Sequence, residues 1–274
     1  MNSLRLRHGH ELVYLERGRG KPLLLLHGFT GSSLAWGEGL LEKLAKTRRI
    51  IAPDLLGHGK SSRPLQPARY RLEAQVEDIC ELLHGLGAER ASWLGYSMGG
   101  RLALTAAHTA ADRVHDLLLV GASPGLRRSA ERTARRQLDE AMARDLEESG
   151  IESFVDFWMQ SPLFANEHKL GATHLSQQRT RRLANDPFAL AASLRGAGSG
   201  TQTNLWPELT SISARTLLLT GALDTKFCAI ASRMNRQLPN SSHTVIDEAG
   251  HAVQLEKPGE FAQVVLQFLH EGDA

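Results

Sequence analysis

The chain has 274 residues, of which 42% are hydrophobic, and this is enough to bury the core of one large domain. Its 32 basic and 30 acidic side chains leave a formal charge of +2, so the composition favours neither a nucleic-acid partner nor a membrane surface. No apolar stretch approaches the ~20 residues that span a bilayer, and the amino terminus lacks the apolar core of a signal peptide. We therefore expect a cytoplasmic protein without membrane insertion.

Two apolar runs near the amino terminus predict parallel strands that are covered on both faces. Residues 23–26 and residues 49–53 form these runs, and each is followed by a loop that contains two glycines. Such loops are expected at the carboxyl edge of the sheet. We interpret His27, Asp54 and His58 as residues that brace the two loops, rather than as catalytic groups.

The next element is a predicted amphipathic helix at residues 71–86. Its apolar residues recur every three or four positions, which gives the helix one face that can pack on the sheet. These residues are Leu72, Val76, Ile79, Leu83 and Leu86. Cys80 lies in this pattern and Cys228 in a later one; they have no metal-ligand spacing, so we expect two reduced core cysteines and neither a metal nor a cofactor.

The most specific local motif is the pentapeptide Gly95-Tyr96-Ser97-Met98-Gly99, between an apolar run and an alanine-rich segment. A strand, a sharp turn and a helix in this order predict a nucleophile elbow with Ser97 at its tip. Glycine-flanked serines also occur in ordinary turns, so the motif needs partners. A serine hydroxyl becomes reactive when a histidine takes its proton and a carboxylate orients that histidine.

After the apolar run at 117–121 the pattern changes. Residues 126–200 show helical periodicity without a convincing strand, and this predicts an inserted helical cap over the pocket. We divide the chain accordingly into a core, residues 1–124 and 207–274, and a cap, residues 125–206. Alternating strands and helices in the core predict an α/β fold with a mostly parallel, doubly wound sheet.

The partners of Ser97 are predicted from the last two strands. Residues 215–221 form an apolar strand, and Asp224 follows it in a loop. Residues 244–246 form a second short strand, and His251 lies in the loop between this strand and a helix at 258–270. Asp224 could instead cap the helix that follows it.

Other acids and the backbone complete the predicted site. Asp247 and Glu248 compete for the acid role, but they directly precede the histidine and could not easily reach back to orient it. In this type of site the oxyanion hole takes one N–H from the residue after the nucleophile, here Met98, and one from an early loop, here Phe29.

The core motifs resemble the α/β-hydrolase superfamily, and the cap motifs resemble one family within it, the 2-succinyl-6-hydroxy-2,4-cyclohexadiene-1-carboxylate synthases of menaquinone biosynthesis. The resemblance covers nearly the whole chain and is specific in the cap. Its motifs are Gly95-Tyr-Ser-Met-Gly-Gly-Arg101, Ser123-Pro-Gly-Leu126, the pairs Glu131-Arg132 and Arg135-Arg136, Phe154-Val-Asp-Phe-Trp158, Pro162-Leu-Phe164, Ser193-Leu-Arg195 and Gly198-Ser-Gly-Thr-Gln-Thr-Asn-Leu-Trp206. One departure is Thr203-Asn204, where a proline-serine-like pair is expected.

The resemblance implies a lyase that eliminates pyruvate from a small polycarboxylate substrate. Arg101, one turn beyond the elbow, is the first candidate cation for a carboxylate, because a guanidinium can bind it bidentately. Alignment of the cap motifs adds Arg135 and one further arginine, either Arg179 or Arg182. Outside the arginines, we expect Tyr96 and Trp158 to line the pocket.

Two other classes of function stay open at this point. A serine hydrolase of esters or C–C bonds would use the same three residues, but a neutral substrate would need no cluster of arginines. A ligand-binding module with a vestigial site would need no base. Labelling of Ser97 by a fluorophosphonate and turnover would separate these alternatives. The oligomeric state, monomer or small homo-oligomer, is equally open.

Overall fold

The computed structural model describes residues 1–273, which form a central sheet with helices on both faces and a helical insertion. The strands are β1 (Asn2–Arg5), β2 (Glu11–Arg17), β3 (Pro22–Leu26), β4 (Arg49–Pro53), β5 (Ala91–Tyr96), β6 (Val114–Val120), β7 (Arg215–Gly221) and β8 (Ser241–Ile246). The helices are α1 (Glu38–Ala45), α2 (Leu72–Gly85), α3 (Met98–Thr109), α4 (Ser129–Met159), α5 (Ala172–Leu183), α6 (Pro187–Ala197), α7 (Thr225–Asn235), α8 (Val253–Glu256) and α9 (Pro258–Glu271).

The strands form one sheet in the order β1-β2-β4-β3-β5-β6-β7-β8. In the part of the sheet from β4 to β8, every neighbouring pair of strands is parallel, as predicted. Strands β3 and β5 pair in a register that places Leu26 opposite Gly95. The parallel arrangement brings the carboxyl ends of β3, β5, β6 and β7 to one edge. Loops from these ends can therefore meet.

The two faces of the sheet explain the continuous apolar runs. In β3, Leu23 and Leu25 pack into one core cluster, whereas Leu24 and Leu26 pack into the cluster on the opposite face. All four are fully buried. Since successive side chains of a strand point to opposite faces, a strand covered on both sides must be apolar at every position.

The antiparallel edge of the sheet was missing from the sequence-based interpretation. Strands β1 and β2 pair antiparallel with each other, and β2 pairs antiparallel with β4. The β2 sequence mixes charged and apolar residues, and only one of its faces is consistently buried. Such an edge strand lacks the continuous apolar run by which the central strands are recognised.

The insertion between β6 and β7 is helical, as expected, and no strand occurs there among the described residues. Its helices α4 and α6 pack together through a small apolar cluster that includes Leu146, Phe154 and Leu190. Helix α4 bends at Gly150, which has φ 81° and ψ 178°. Phe29 of the core packs against this cluster, so the insertion lies against the loop that follows β3.

Three further points about the described part of the chain concern membrane spans, metal clusters and cysteines. Within residues 1–273, no helix is both long and apolar enough to cross a membrane. In the same range, no group of three or more His, Cys, Asp or Glu side chains is arranged to hold a metal ion. Cys80 and Cys228 are free, but each is half-buried, so they lie at the margin of the core and not within it.

Candidate active site

The elbow around Ser97 is held by very close backbone packing. Ser97 has φ 52° and ψ −107°, a conformation that a non-glycine residue rarely adopts, and its N–H donates to the Val120 carbonyl at 2.8 Å. A Cβ atom on Gly95 would lie 2.2 Å from the Gly99 carbonyl oxygen. A Cβ on Gly99 would lie 2.1 Å from the Leu26 carbonyl oxygen. Both positions therefore require glycine, and the serine is fixed at the carboxyl end of β5.

The three side chains named from the sequence form a continuous hydrogen-bonded chain. His251 Nε2 lies 3.2 Å from Ser97 Oγ, and His251 Nδ1 lies 2.6 Å from Asp224 Oδ2. An ionised carboxylate can only accept, so Nδ1 donates to Asp224 and Nε2 is free to accept from the serine hydroxyl. In this tautomer His251 is able to accept a proton from Ser97.

Asp224 makes both of the contacts that the sequence suggests, one to the histidine and one to the start of a helix. Its Oδ2 accepts from His251, while its Oδ1 accepts from the Phe227 N–H at 3.2 Å and caps α7. The helix cap holds the carboxylate in place for the imidazole. Of the competing acids, Glu248 forms an exposed pair with Lys257 instead, and Asp247 is exposed.

The two backbone groups expected at an oxyanion hole border the same cavity as Ser97. Phe29 lies in the loop after β3, and Met98 is the first residue of α3. Within residues 1–273, neither N–H donates a hydrogen bond. The first N–H groups of a helix have no partner inside the helix, so the Met98 N–H is available to a ligand.

The cavity at the elbow has a volume of about 300 Å³ and lies between the core and the insertion. Tyr96 and Trp158 both line it, as expected. The Trp158 ring stacks on Phe154 at 5.8 Å between centroids and meets Phe29 edge-on at 5.5 Å. The Tyr96 ring lies 5.3 Å from the imidazole of His251. The wall is thus aromatic near the reactive groups.

Arg101 and Arg135 both line the cavity. Arg101 belongs to α3 of the core, and Arg135 belongs to α4 of the insertion. Arg101 Nη1 donates to the Ala197 carbonyl at 2.7 Å, and Arg135 Nε donates to the buried Asp139 at 2.8 Å. Burial, and then the nearby charge of Arg135, lower the pKa of the Arg101 guanidinium to about 10. It is still protonated at neutral pH, and a carboxylate would relieve the repulsion between the two cations.

Of the two alternative arginines in α5, Arg182 lines the cavity and Arg179 does not. Arg182 is buried, stacks over the Phe164 ring at 4.6 Å and lies 3.8 Å from Glu167. Arg179 forms an exposed pair with Asp156 and lies away from the cavity, so the structure brings Arg182 and not Arg179 to the site. Arg179 and Arg182 are three positions apart in α5, so they lie near the same face of the helix. Only the packing of the helix decides which of them points into the cavity.

Three charged residues of the cavity wall were missed. They are Glu167, Arg181 and Lys226. Glu167 is 2% exposed, neither of its carboxylate oxygens has a hydrogen-bond partner within residues 1–273, and burial raises its pKa to about 7. No local pattern marks this residue. Arg181 is adjacent to residues that were named, so the same motif could have included it.

The residues interpreted as braces have that role in the structure. His27 Nε2 accepts from the Leu55 N–H at 3.0 Å, and Asp54 accepts from the Ser33 and Lys60 N–H groups at 2.7 and 2.8 Å. His58 is buried, and its Nδ1 lies 3.0 Å from the Leu56 carbonyl. These contacts hold the loops after β3 and β4 around the site.

A serine on a strained strand-to-helix turn, with a histidine and an aspartate from later loops of a parallel sheet, defines an α/β-hydrolase. The family model of the alpha/beta hydrolase fold matches residues 21–258. This match agrees with the fold that the sheet and the elbow define.

Relatives that match along most of their length indicate which family of α/β-hydrolases the chain belongs to. A Bacillus subtilis (strain 168) protein named provisionally as a 2-succinyl-6-hydroxy-2,4-cyclohexadiene-1-carboxylate synthase is 38% identical over 91% of this chain and 90% of its own. The synthase of that name from Serratia proteamaculans is 30% identical over 90% of this chain and 92% of its own. The solved structure of MenH from S. aureus superposes with a TM-score of 0.91 at 33% identity, over 96% of this chain and 99% of that chain. The chain belongs to this synthase family.

Proposed function

We propose that this chain eliminates pyruvate from 2-succinyl-5-enolpyruvyl-6-hydroxy-3-cyclohexene-1-carboxylate and releases 2-succinyl-6-hydroxy-2,4-cyclohexadiene-1-carboxylate. One observation carries the proposal. Ser97 and His251, in hydrogen-bond contact with each other and, through His251, with Asp224, line the same cavity as Arg101, Arg135 and Arg182. A base and several cations in one cavity suit proton abstraction from a substrate with several carboxylates.

The names of substrate and product define the bonds that change. The C–H bond at C2, beside the succinyl carbonyl, breaks, and the C–O bond to the enolpyruvyl group at C5 breaks. The ring double bond at C3 is replaced by double bonds at C2 and C4. In the proposed mechanism His251 accepts the Ser97 proton, and the serine oxygen takes the C2 proton. The His251 imidazolium gives its proton to the released enolpyruvyl oxygen, and the resulting enol becomes pyruvate.

Each neighbouring group has a role in this step. Asp224 holds the imidazole in the tautomer that accepts a proton, and it stabilises the imidazolium that forms. Loss of the C2 proton moves negative charge onto the succinyl carbonyl oxygen. The N–H groups of Phe29 and Met98 are free to donate to that oxygen. No bond forms between Ser97 and the substrate carbon, so no acyl-enzyme is needed.

The carboxylates of the substrate are assigned to the arginines of the wall. Arg101 has the strongest case, because it lines the cavity near a second cation and lies one turn from Ser97. Arg135 and Arg182 reach the cavity from the insertion, residues 125–206, which we propose acts as the cap. The proposed contacts of Tyr96 and Trp158 are with the ring of the substrate. Cytoplasmic location and the oligomeric state stay expectations from the sequence.

In the direct test, the enzyme that makes the substrate is included in the assay mixture. Two signals are then followed. Pyruvate release, coupled to lactate dehydrogenase, and the absorbance of the conjugated diene should rise together with the purified protein and not with the Ser97→Ala variant. Rapid cleavage of simple esters without either signal would support the serine hydrolase instead. Labelling of Ser97 without any turnover would support a binding module.

A further inference from the structure

A buried carboxylate lies behind the loop that carries His251. Glu256, the last residue of α8, is 8% exposed. Its Oε2 accepts from the Gly250 N–H at 2.6 Å, and its Oε1 accepts from the Ala252 N–H at 3.1 Å. The two donors are the residues immediately before and after His251. One side chain therefore holds both ends of the short segment from which the imidazole projects.

We infer that Glu256 is a positioning residue for His251, an inference that rests on the proposed role of His251 as the base for Ser97. Hydrogen bonds to an ionised acceptor are shorter and stronger than neutral ones, so the pair restrains rotation of the backbone on both sides of the histidine. The imidazole must meet Ser97 Oγ and Asp224 Oδ2 at the same time. A misplacement of about 1 Å at a reactive group can lower a rate by roughly 10²-fold.

Glu256 also links this loop to the cap. The side-chain amide of Asn166 donates to Glu256 Oε2 and, at 3.1 Å, to the Glu248 carbonyl. Asn166 lies between α4 and α5, in the insertion, whereas both of its acceptors flank the His251 loop. Packing at this contact is close, since a Cβ on Gly250 would lie 3.1 Å from the Asn166 Cβ. Glu256 is thus the common partner of the cap and of the loop that carries the base.

The test replaces Glu256 by glutamine, which has nearly the same shape. The amide oxygen of Glu256→Gln can accept from one of the two N–H groups, but its NH₂ group then faces the other donor. The matched control is Glu248→Gln. Glu248 lies in the same loop and carries the same charge, but its carboxylate is exposed and contacts Lys257 alone among the described residues.

Three quantities are measured for each variant: the rate at which a fluorophosphonate labels Ser97, kcat and KM for pyruvate release, and the midpoint of thermal unfolding. Glu256→Gln should slow labelling and lower kcat by about tenfold or more, because the base is misplaced. Its KM should change less than about twofold, since Glu256 does not line the cavity. Glu248→Gln should match the wild type in all three.

The cap contact is tested by Asn166→Ala, which should slow labelling by about threefold or more without reaching the effect of Glu256→Gln. The His251 Nδ1 proton, bonded to Asp224, provides a spectroscopic readout far downfield in the proton NMR spectrum. It should shift or broaden in Glu256→Gln at a temperature where the variant is folded.

The outcomes separate this inference from the proposed function. Absent labelling and absent pyruvate release in the wild type would overturn the proposed function. A wild type that labels, together with a folded Glu256→Gln that labels at the same rate and keeps the same NMR signal, would overturn the positioning role. An Asn166→Ala variant identical to the wild type would overturn the link to the cap.

Discussion

Replacement of Arg101 by alanine removes one cation from the cavity wall and leaves the three hydrogen-bonded residues unchanged. The Arg101 side chain is half-buried and lies near the charge of Arg135, so water screens its attraction to a bound carboxylate less than at the open surface. Removal of one partner of a buried charge pair costs about 2–5 kcal/mol. Since about 1.4 kcal/mol corresponds to tenfold, kcat/KM for pyruvate release should fall roughly 30-fold to a few thousand-fold.

Two further variants test the physical reason. Arg101→Lys keeps the charge but loses the planar fork of donors, so it should recover only part of the loss. Arg135→Ala should cost less than Arg101→Ala, because the Arg135 side chain is 37% exposed and already donates to Asp139. Arg101→Ala also leaves the Ala197 carbonyl without its donor, which should lower the free energy of unfolding by about 1 kcal/mol.

The assay is a ratio of two activities measured on the same variants. The first is kcat/KM for pyruvate release, and the second is the rate of fluorophosphonate labelling of Ser97, which needs no carboxylate contact. Loss of the first with the second within about twofold of wild type is the expected result. Equal losses of both would refute the reasoning, because Arg101 would then support the fold of the elbow and not the charge of the substrate.

Ser97→Ala and His251→Ala should each lower kcat by about 10³-fold or more. The double variant should lower kcat no further than the less active single variant does. A decrease in kcat equal to the product of the two single decreases would contradict a shared proton transfer. Arg182→Ala should lower kcat/KM by about tenfold or more, whereas Arg179→Ala should change it less than about twofold, since its exposed ion pair contributes little; the opposite order would show that the cap presents a different face to the substrate. The raised pKa of Glu167, about 7 against an ordinary 4.5, means that its neutral form stabilises the fold at low pH and that this stability is lost as the pH rises through 7. In urea unfolding, the free energy of unfolding of the wild type should therefore fall by up to about 3 kcal/mol relative to that of Glu167→Gln between pH 5 and pH 8. The same difference between the two proteins at both pH values would refute this.

Features that depend on neighbouring residues were predictable from the sequence. The runs that became β4 and β7 have the predicted bounds, because strands covered on both faces are apolar throughout and end at loop-forming residues. The glycines around Ser97 marked the elbow, since only residues without a Cβ fit there. The order of elements after it indicated which aspartate and histidine follow strands whose carboxyl ends reach the same edge. Helical periodicity indicated the insertion, and the family resemblance then indicated its arginines.

Features that depend on distant residues were decided by the tertiary structure alone. Arg179 and Arg182 are equivalent in the sequence, but only packing of α5 against Phe164 and Glu167 turns Arg182 inward. The raised pKa of Glu167, a residue of the insertion, arises from burial in the packed molecule. The hydrogen bonds of Glu256 with the N–H groups on both sides of His251 likewise form only in the folded chain. Local pattern and chain order specify the parallel part of the sheet, the elbow and the candidate triad. The direction of each cap side chain and the electrostatics of the cavity were settled only in three dimensions, because burial and distance are properties of the packed molecule.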